Sequence, residues 1–216
     1  MIIEFNKTKN IFGVMGGNPY LKNLSDWPLN ENGKRMIHLF TVFSNIFGGN
    51  QFDDKYCISI FLDNETNERG QLKRGFSTRY AIQENNSFAT SKKYAKALLV
   101  EKSEKPVAEI SESGVLPVIT MSKRHFTDEE VMQESNEEGT DKSKLFSVPH
   151  FLQDDVHPQP AMKYQPIIQL NEWDFANFHP EYSDVFLDGL AYLWIDQNYR
   201  KYTPVKDVGY FGIQYL

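Results

Sequence analysis

Two imidazoles and two carboxylates fall within eight residues in His150-Phe151-Leu152-Gln153-Asp154-Asp155-Val156-His157, which runs straight into Pro158. Such a set can hold a divalent metal or supply a paired acid and base, with His150 and Asp154 or Asp155 as the pair a hydrolase would use. The spacing matches no standard ligand signature. Adjacent carboxylates on an extended chain also point to opposite sides, so only one of Asp154 and Asp155 can readily serve one site. A polar binding edge, or an Asp-capped turn ahead of the prolines, accounts for the same residues. Trp27 and Trp173 lie beside turns. There they can line a groove for a small ligand or glycan, since aromatic faces near carboxylates suit sugars and cations, or they can serve as buried lids. Trp27, His150, Asp154, Asp155 and Trp173 are therefore the candidate binding residues, whereas Trp194 sits mid-strand and reads as core.

Other motifs fall short of a chemistry. Gly13-Val14-Met15-Gly16-Gly17 is glycine-rich but lacks the Lys-Ser/Thr ending of a P-loop and the spacing of a dinucleotide fingerprint. Asp63-x-Glu65-x-Asn67 opens like a calcium loop, but Glu68 stands where that loop needs Gly and Arg74 where it needs Glu. The single cysteine, Cys57, excludes an internal disulfide and a cysteine zinc cluster, and its apolar surroundings mark it as a small buried hydrophobe. No motif calls for a cofactor or metal.

The net charge of −6 is concentrated in one segment. Residues 128–141 hold Asp128, Glu129, Glu130, Glu134, Glu137, Glu138 and Asp141 with no Lys or Arg, which leaves 22 acids against 23 bases elsewhere. A solvated loop explains this, as does a steering element for a basic partner, for which Glu134, Glu137, Glu138 and Asp141 are the candidates. Nucleic acid is not expected, because backbone binding needs a clustered excess of Lys and Arg. With neither a signal-like start nor an apolar run long enough to span a bilayer, the expectation is a cytoplasmic protein without a membrane partner.

The elements that position these residues are mostly strands. An aromatic content of 14% favours a sheet-rich fold. Strands are expected over 36–47, 56–62, 76–82, 115–121, 165–170, 190–195 and 208–215, with residues 11–35 irregular. Tyr94, Ala95, Leu98 and Leu99 recur at helical spacing, so 91–102 is expected to be a helix. Thr127-Asp128-Glu129-Glu130 has the form of a capping box and starts a short one. The overall expectation is an α+β fold, mainly antiparallel β with a few short helices, in a single domain over 1–216.

The second half also faintly repeats the first, in order. Gly17-Asn18-Pro19-Tyr20-Leu21 answers Val148-Pro149-His150-Phe151-Leu152, and Met36 to Phe40 answers Pro166 to Leu170. Tyr56 to Asp63 answers Ala191 to Asp196, and Gly75-Phe76 answers Gly209-Tyr210. The implied halves are approximately 1–105 and 106–216, two pseudo-repeated sheet units packed into one body.

Gly16-Gly17-x-Pro19, Trp27-Pro28, the strand ending at Asp63, Phe151-x-Gln153-Asp154-Asp155, Ile168-Gln169-Leu170, Asp188-Gly189-x-Ala191-Tyr192-Leu193 and a final Gln214 occur in that order. This order resembles the YwqG-like family of bacterial domains of unknown function over nearly the whole chain. The resemblance implies an α+β protein rich in antiparallel strands and brings no catalytic residues. It also implies an interaction or immunity role, since members look like accessory genes of bacterial toxin loci. The leading expectation is a non-enzymatic protein that binds a partner, such as a basic toxin. A small-ligand or glycan module and a hydrolase are the alternatives.

Overall fold

The computed structural model describes residues 1–48, 52–63, 78–82, 88–108, 116–135 and 139–215. Eleven strands among them form one sheet: β1 (Ile2–Phe5), β2 (Ile11–Met15), β3 (Ile37–Phe43), β4 (Tyr56–Leu62), β5 (Ala95–Glu101), β6 (Ile119–Arg124), β7 (Lys144–Leu145), β8 (Tyr164–Asn171), β9 (Leu190–Asp196), β10 (Lys206–Asp207) and β11 (Gly209–Gln214). Their order is β10-β5-β4-β3-β2-β6-β1-β7-β8-β9-β11, and every pairing between them is antiparallel. The helices are short: α1 (Phe88–Ser91), α2 (Asp128–Glu134) and several 3₁₀ turns. The fold is thus α+β and mainly antiparallel β. Among the described residues, no helix is long and apolar enough to cross a membrane.

Period-two patterning assigns the two faces. In β4, Ile58, Ile60 and Leu62 point into the main core, while Cys57 and Phe61 point the other way. In β9, Ala191, Leu193 and Ile195 point in, and Leu190, Tyr192 and Trp194 point out. Both outer sets are covered by chain rather than by water. Tyr20, Leu21, Trp27 and Met36 lie over β4 and β5, and Phe151, Leu152 and Val156 lie over β9. Covered on both faces, these strands read as continuous apolar runs.

That double covering explains the main error of the sequence reading. Residues 95–101 are strand β5, not part of a helix. Ala95, Ala97 and Leu99 face the core and Leu98 and Val100 the outer cluster, so apolar residues on both faces mimic a helical stripe. Within 76–82, Thr78–Tyr80 form a 3₁₀ turn and Ala81 makes one parallel bridge to Ile213, while 76 and 77 lie outside the described residues. The turn-rich stretch 11–35 contains β2, in which Gly13 is required by close approach, because a Cβ there would lie 2.6 Å from the Thr41 carbonyl oxygen.

The two ends of the sheet meet on a single stretch of chain. Lys206 and Asp207 pair with β5, and Gly209 to Gln214 pair with β9. Between them the Val208 amide donates to Ala97 O and its carbonyl accepts from the Asp196 amide, both at 2.8 Å. At the middle of the sheet β1 lies between β6 and β7, while β6 reaches back to β2.

Candidate functional site

The segment 149–157 forms a strap across the outer face of β9. Phe151 packs on Tyr192 with ring centroids 5.3 Å apart, and His157 stands edge-on to Trp194 at 5.2 Å. Two buried amides hold the strap by its backbone. Gln169 Oε1 accepts from the His150 amide at 2.7 Å, while Gln169 Nε2 donates to Thr140 O and Lys142 O. Gln214 Oε1 accepts from the Leu152 amide at 3.0 Å, and its Nε2 donates to Asp154 O at 2.8 Å. The Tyr192 hydroxyl donates to His150 O at 2.6 Å. His150 and Asp154 thus enter this network through main-chain atoms, and the side chains of Asp154 and Asp155 stand exposed. Among the described residues, no group of three or more His, Cys, Asp or Glu is placed to hold a metal.

The two candidate tryptophans do not form a groove. Trp27 is buried, donates from Nε1 to Met36 O at 2.7 Å and lies 6.3 Å from Phe61, so it is a lid on the outer cluster of β4. Trp173, on the 3₁₀ turn Glu172–Asp174 that follows β8, is 63% exposed.

The acidic segment divides between the protein interior and water. Thr127 and Glu130 do form the capping box of α2. Glu130 and Glu134, four apart and therefore on one face, both turn inward. Glu130 accepts a bidentate pair from Arg124 at 2.6 and 2.8 Å and another bond from Lys142 at 2.9 Å. The Arg124 hydrogen bonds hold its carboxyl far below the usual carboxylate range. Glu134 receives the fully buried Lys144 on both oxygens at 2.8 and 2.9 Å, together with Thr140 and Ser147. Its side chain is only 10% exposed, and its charge is answered by Lys144. Asp141 is exposed as expected, its carbonyl accepting from Asn171, while Glu137 and Glu138 lie outside the described residues.

With Glu130 and Glu134 inward, α2 presents Val131 and Met132 outward, 52% and 72% exposed, beside exposed Asp128 and Glu129. This inverts the usual surface helix, whose apolar stripe faces the core. The sequence carried a partial signal, since Val131-Met132 interrupts the acids, but the inward turn depends on Arg124, Lys142 and Lys144 just beyond the segment.

Two buried titratable groups escaped the sequence reading. His38 Nδ1 lies 3.0 Å from Gly17 O, a carbonyl that can only accept, so Nδ1 carries the proton and Nε2 accepts from the Thr41 hydroxyl at 2.9 Å. A bulge that turns both Leu39 and Phe40 inward puts His38 and Thr41 on one face, and burial pushes the imidazole down to about 4. Glu172 is caged by the amides of Asp184 and Phe186, each at 2.6 Å, and of Asp188 at 3.3 Å. Asp184, Leu187 and Asp188 adopt left-handed backbone around it.

Burial outweighs those amides and pushes Glu172 up to about 7. A carboxyl raised in the fold binds its proton more tightly folded than unfolded. The stability it contributes is therefore complete below about pH 4.5 and is lost as pH rises to about 7. Measured against Glu172→Gln, the wild type is expected to lose urea midpoint across that window, because what His38 contributes over the same range is common to both proteins. Parallel pH profiles would exclude Glu172 as the titrating group.

In comparisons with protein-family models, curated proteins and solved structures, none matches this chain.

Proposed function

We propose that this is a non-enzymatic cytoplasmic binding protein of the YwqG-like kind, acting as an immunity protein that masks a basic toxin. The observation that carries this reading is the inverted helix α2. A helix that turns Glu130 and Glu134 onto internal cations and leaves Val131 and Met132 in water offers a partner an apolar spot on its outer face. Asp128 and Glu129 at its edge give that face the sign to attract a basic surface.

Replacing Val131 and Met132 together by Asp is expected to leave the melting temperature nearly unchanged, because neither side chain is buried. The same change should weaken toxin binding about 30-fold or more, the size of one apolar hot spot. Cells expressing the variant beside a genetically adjacent toxin should lose protection. Full protection by the variant would remove α2 as the docking face, and a wild type that never protects would remove the immunity reading itself.

The pseudo-repeat belongs with this proposal. Its support is that β3 and β8 each carry a bulge, between His38 and Phe40 and between Pro166 and Ile168, two residues off the alignment of Met36 with Pro166. Phe61 and Trp194 are 133 residues apart, the offset between Asp63 and Asp196. A crystal structure in which the two halves fail to superimpose over β4 and β9 would sink it.

A further inference from the structure

A concave site lies away from α2, where the end of β5 meets the chain that covers the outer face of β4. Tyr20, Phe43, Lys102, Ser103 and Glu104 line an open depression of about 380 Å³. That volume falls in the range of small-ligand sites, roughly 300–1,000 Å³. Its floor is two aromatic rings, Tyr20 and Phe43, edge to face with centroids 5.2 Å apart. The Lys102 ammonium stands 5.6 Å from the Phe43 ring centre, and no carboxylate among the described residues forms an ion pair with it.

The walls are fixed before any ligand arrives. Leu21 and Lys102 form a β-bridge, the Ser103 amide donates to Tyr20 O at 3.3 Å, and the Lys102 amide donates to Lys55 O at 2.8 Å. The Ser103 hydroxyl is turned onto Lys105 O, which shapes the loop that carries Glu104. A site built in advance loses little ordering entropy on binding.

We infer that this depression binds a small organic monocarboxylate with a flat aromatic body. The rings of Tyr20 and Phe43 offer the surface for such a body, and the ammonium of half-buried Lys102, without a carboxylate partner among the described residues, offers a charge-assisted bond to the carboxylate. Exposed Glu104 at the rim sets the charge limit, since a second negative group on the ligand would meet it. This inference does not rest on the docking face of α2, which involves none of these residues.

The test uses 1-naphthoate as the probe and 1-naphthamide as its uncharged counterpart. Added to the isotopically labelled full chain at low salt, naphthoate is expected to cause saturable amide shifts at Tyr20, Phe43, Ser103 and Glu104. Naphthamide should bind about tenfold more weakly or worse, the loss expected for a charge-assisted bond. Lys102→Met keeps the aliphatic stem and should reproduce that loss, whereas Lys102→Arg should retain binding. An unchanged spectrum for Lys102→Met outside the site would show that the fold survives. Absence of saturable shifts, shifts that map elsewhere, or equal binding of naphthoate and naphthamide would each overturn the inference.

Discussion

Deleting residues 208–216 is expected to leave a chain that no longer melts cooperatively. Val208 is the residue through which the ends of the sheet meet, bonded to Ala97 on one side and Asp196 on the other. Beyond it, Phe211 and Ile213 are buried in the main core, where Phe211 contacts Phe40, Tyr80 and Phe186. Burying side chains of this size contributes roughly 2 kcal/mol or more each, and the truncation would also expose the unpaired edge of β9 and take from Ala97 O of β5 its Val208 donor. Gln214 is lost as well, and with it the amide that ties down the strap at Leu152 and Asp154. Since a domain's whole stability is only about 5–15 kcal/mol, these losses together exceed what the fold can spare. Circular dichroism melts and limited proteolysis would report it, and a sharp melt near the wild-type temperature would contradict the closure described above.

How much of this was legible in the sequence depended on how local its cause was. β4 and β9 were readable from their own residues, because strands covered on both faces are unbroken apolar runs. The same covering hid β5, where alternation disappeared and Tyr94, Ala95, Leu98 and Leu99 imitated a helix. β7 and β10, two residues each, and β1, four residues long, carry too little pattern to stand out. What defines β1 is its pairing with β6 and β7, more than a hundred residues away. The candidate site divides the same way. The capping box of α2 was a local signal and is present. The direction of its acids was not local, because it is set by Arg124 on β6 and Lys144 on β7. Trp27 beside Pro28 looked like a groove wall because nothing nearby announces that Met36 O will take its indole proton. Lys102, the cation of the inferred carboxylate site, looked like one more surface lysine until Tyr20 and Phe43 were brought beside it.

Breaking the pair Glu134–Lys144 should cost this fold several kcal/mol with a single substitution. Lys144 is 1% exposed and its ammonium meets both Glu134 oxygens, so Lys144→Met leaves a carboxylate largely shielded from water, held by Ser147 and Thr140 but without its counter-ion. Removing one partner of such a pair costs about 3–5 kcal/mol, and Glu134→Gln should fall at the lower end because it keeps the shape. Replacing both by apolar residues of similar size, Glu134→Leu with Lys144→Met, should recover much of the loss, since desolvation of the charges disappears with them. Asp141→Asn, on an exposed side chain, should change little. The pH dependence has a definite sign. Burial pulls the Glu134 carboxyl up, but hydrogen bonds from Lys144, Ser147 and Thr140 outweigh it and hold it below its ordinary value of 4.5. A depressed carboxyl contributes stability that is complete above that value and disappears as the pH falls through the folded one. The wild type should therefore lose its advantage over Glu134→Gln on acidification below about pH 4.5, in the opposite sense to Glu172 and in a separate window. Urea midpoints at neutral and acid pH would measure both. If Lys144→Met unfolds at the wild-type midpoint at pH 7, the pair is not structural, and Glu134 returns to being a surface charge available to a partner.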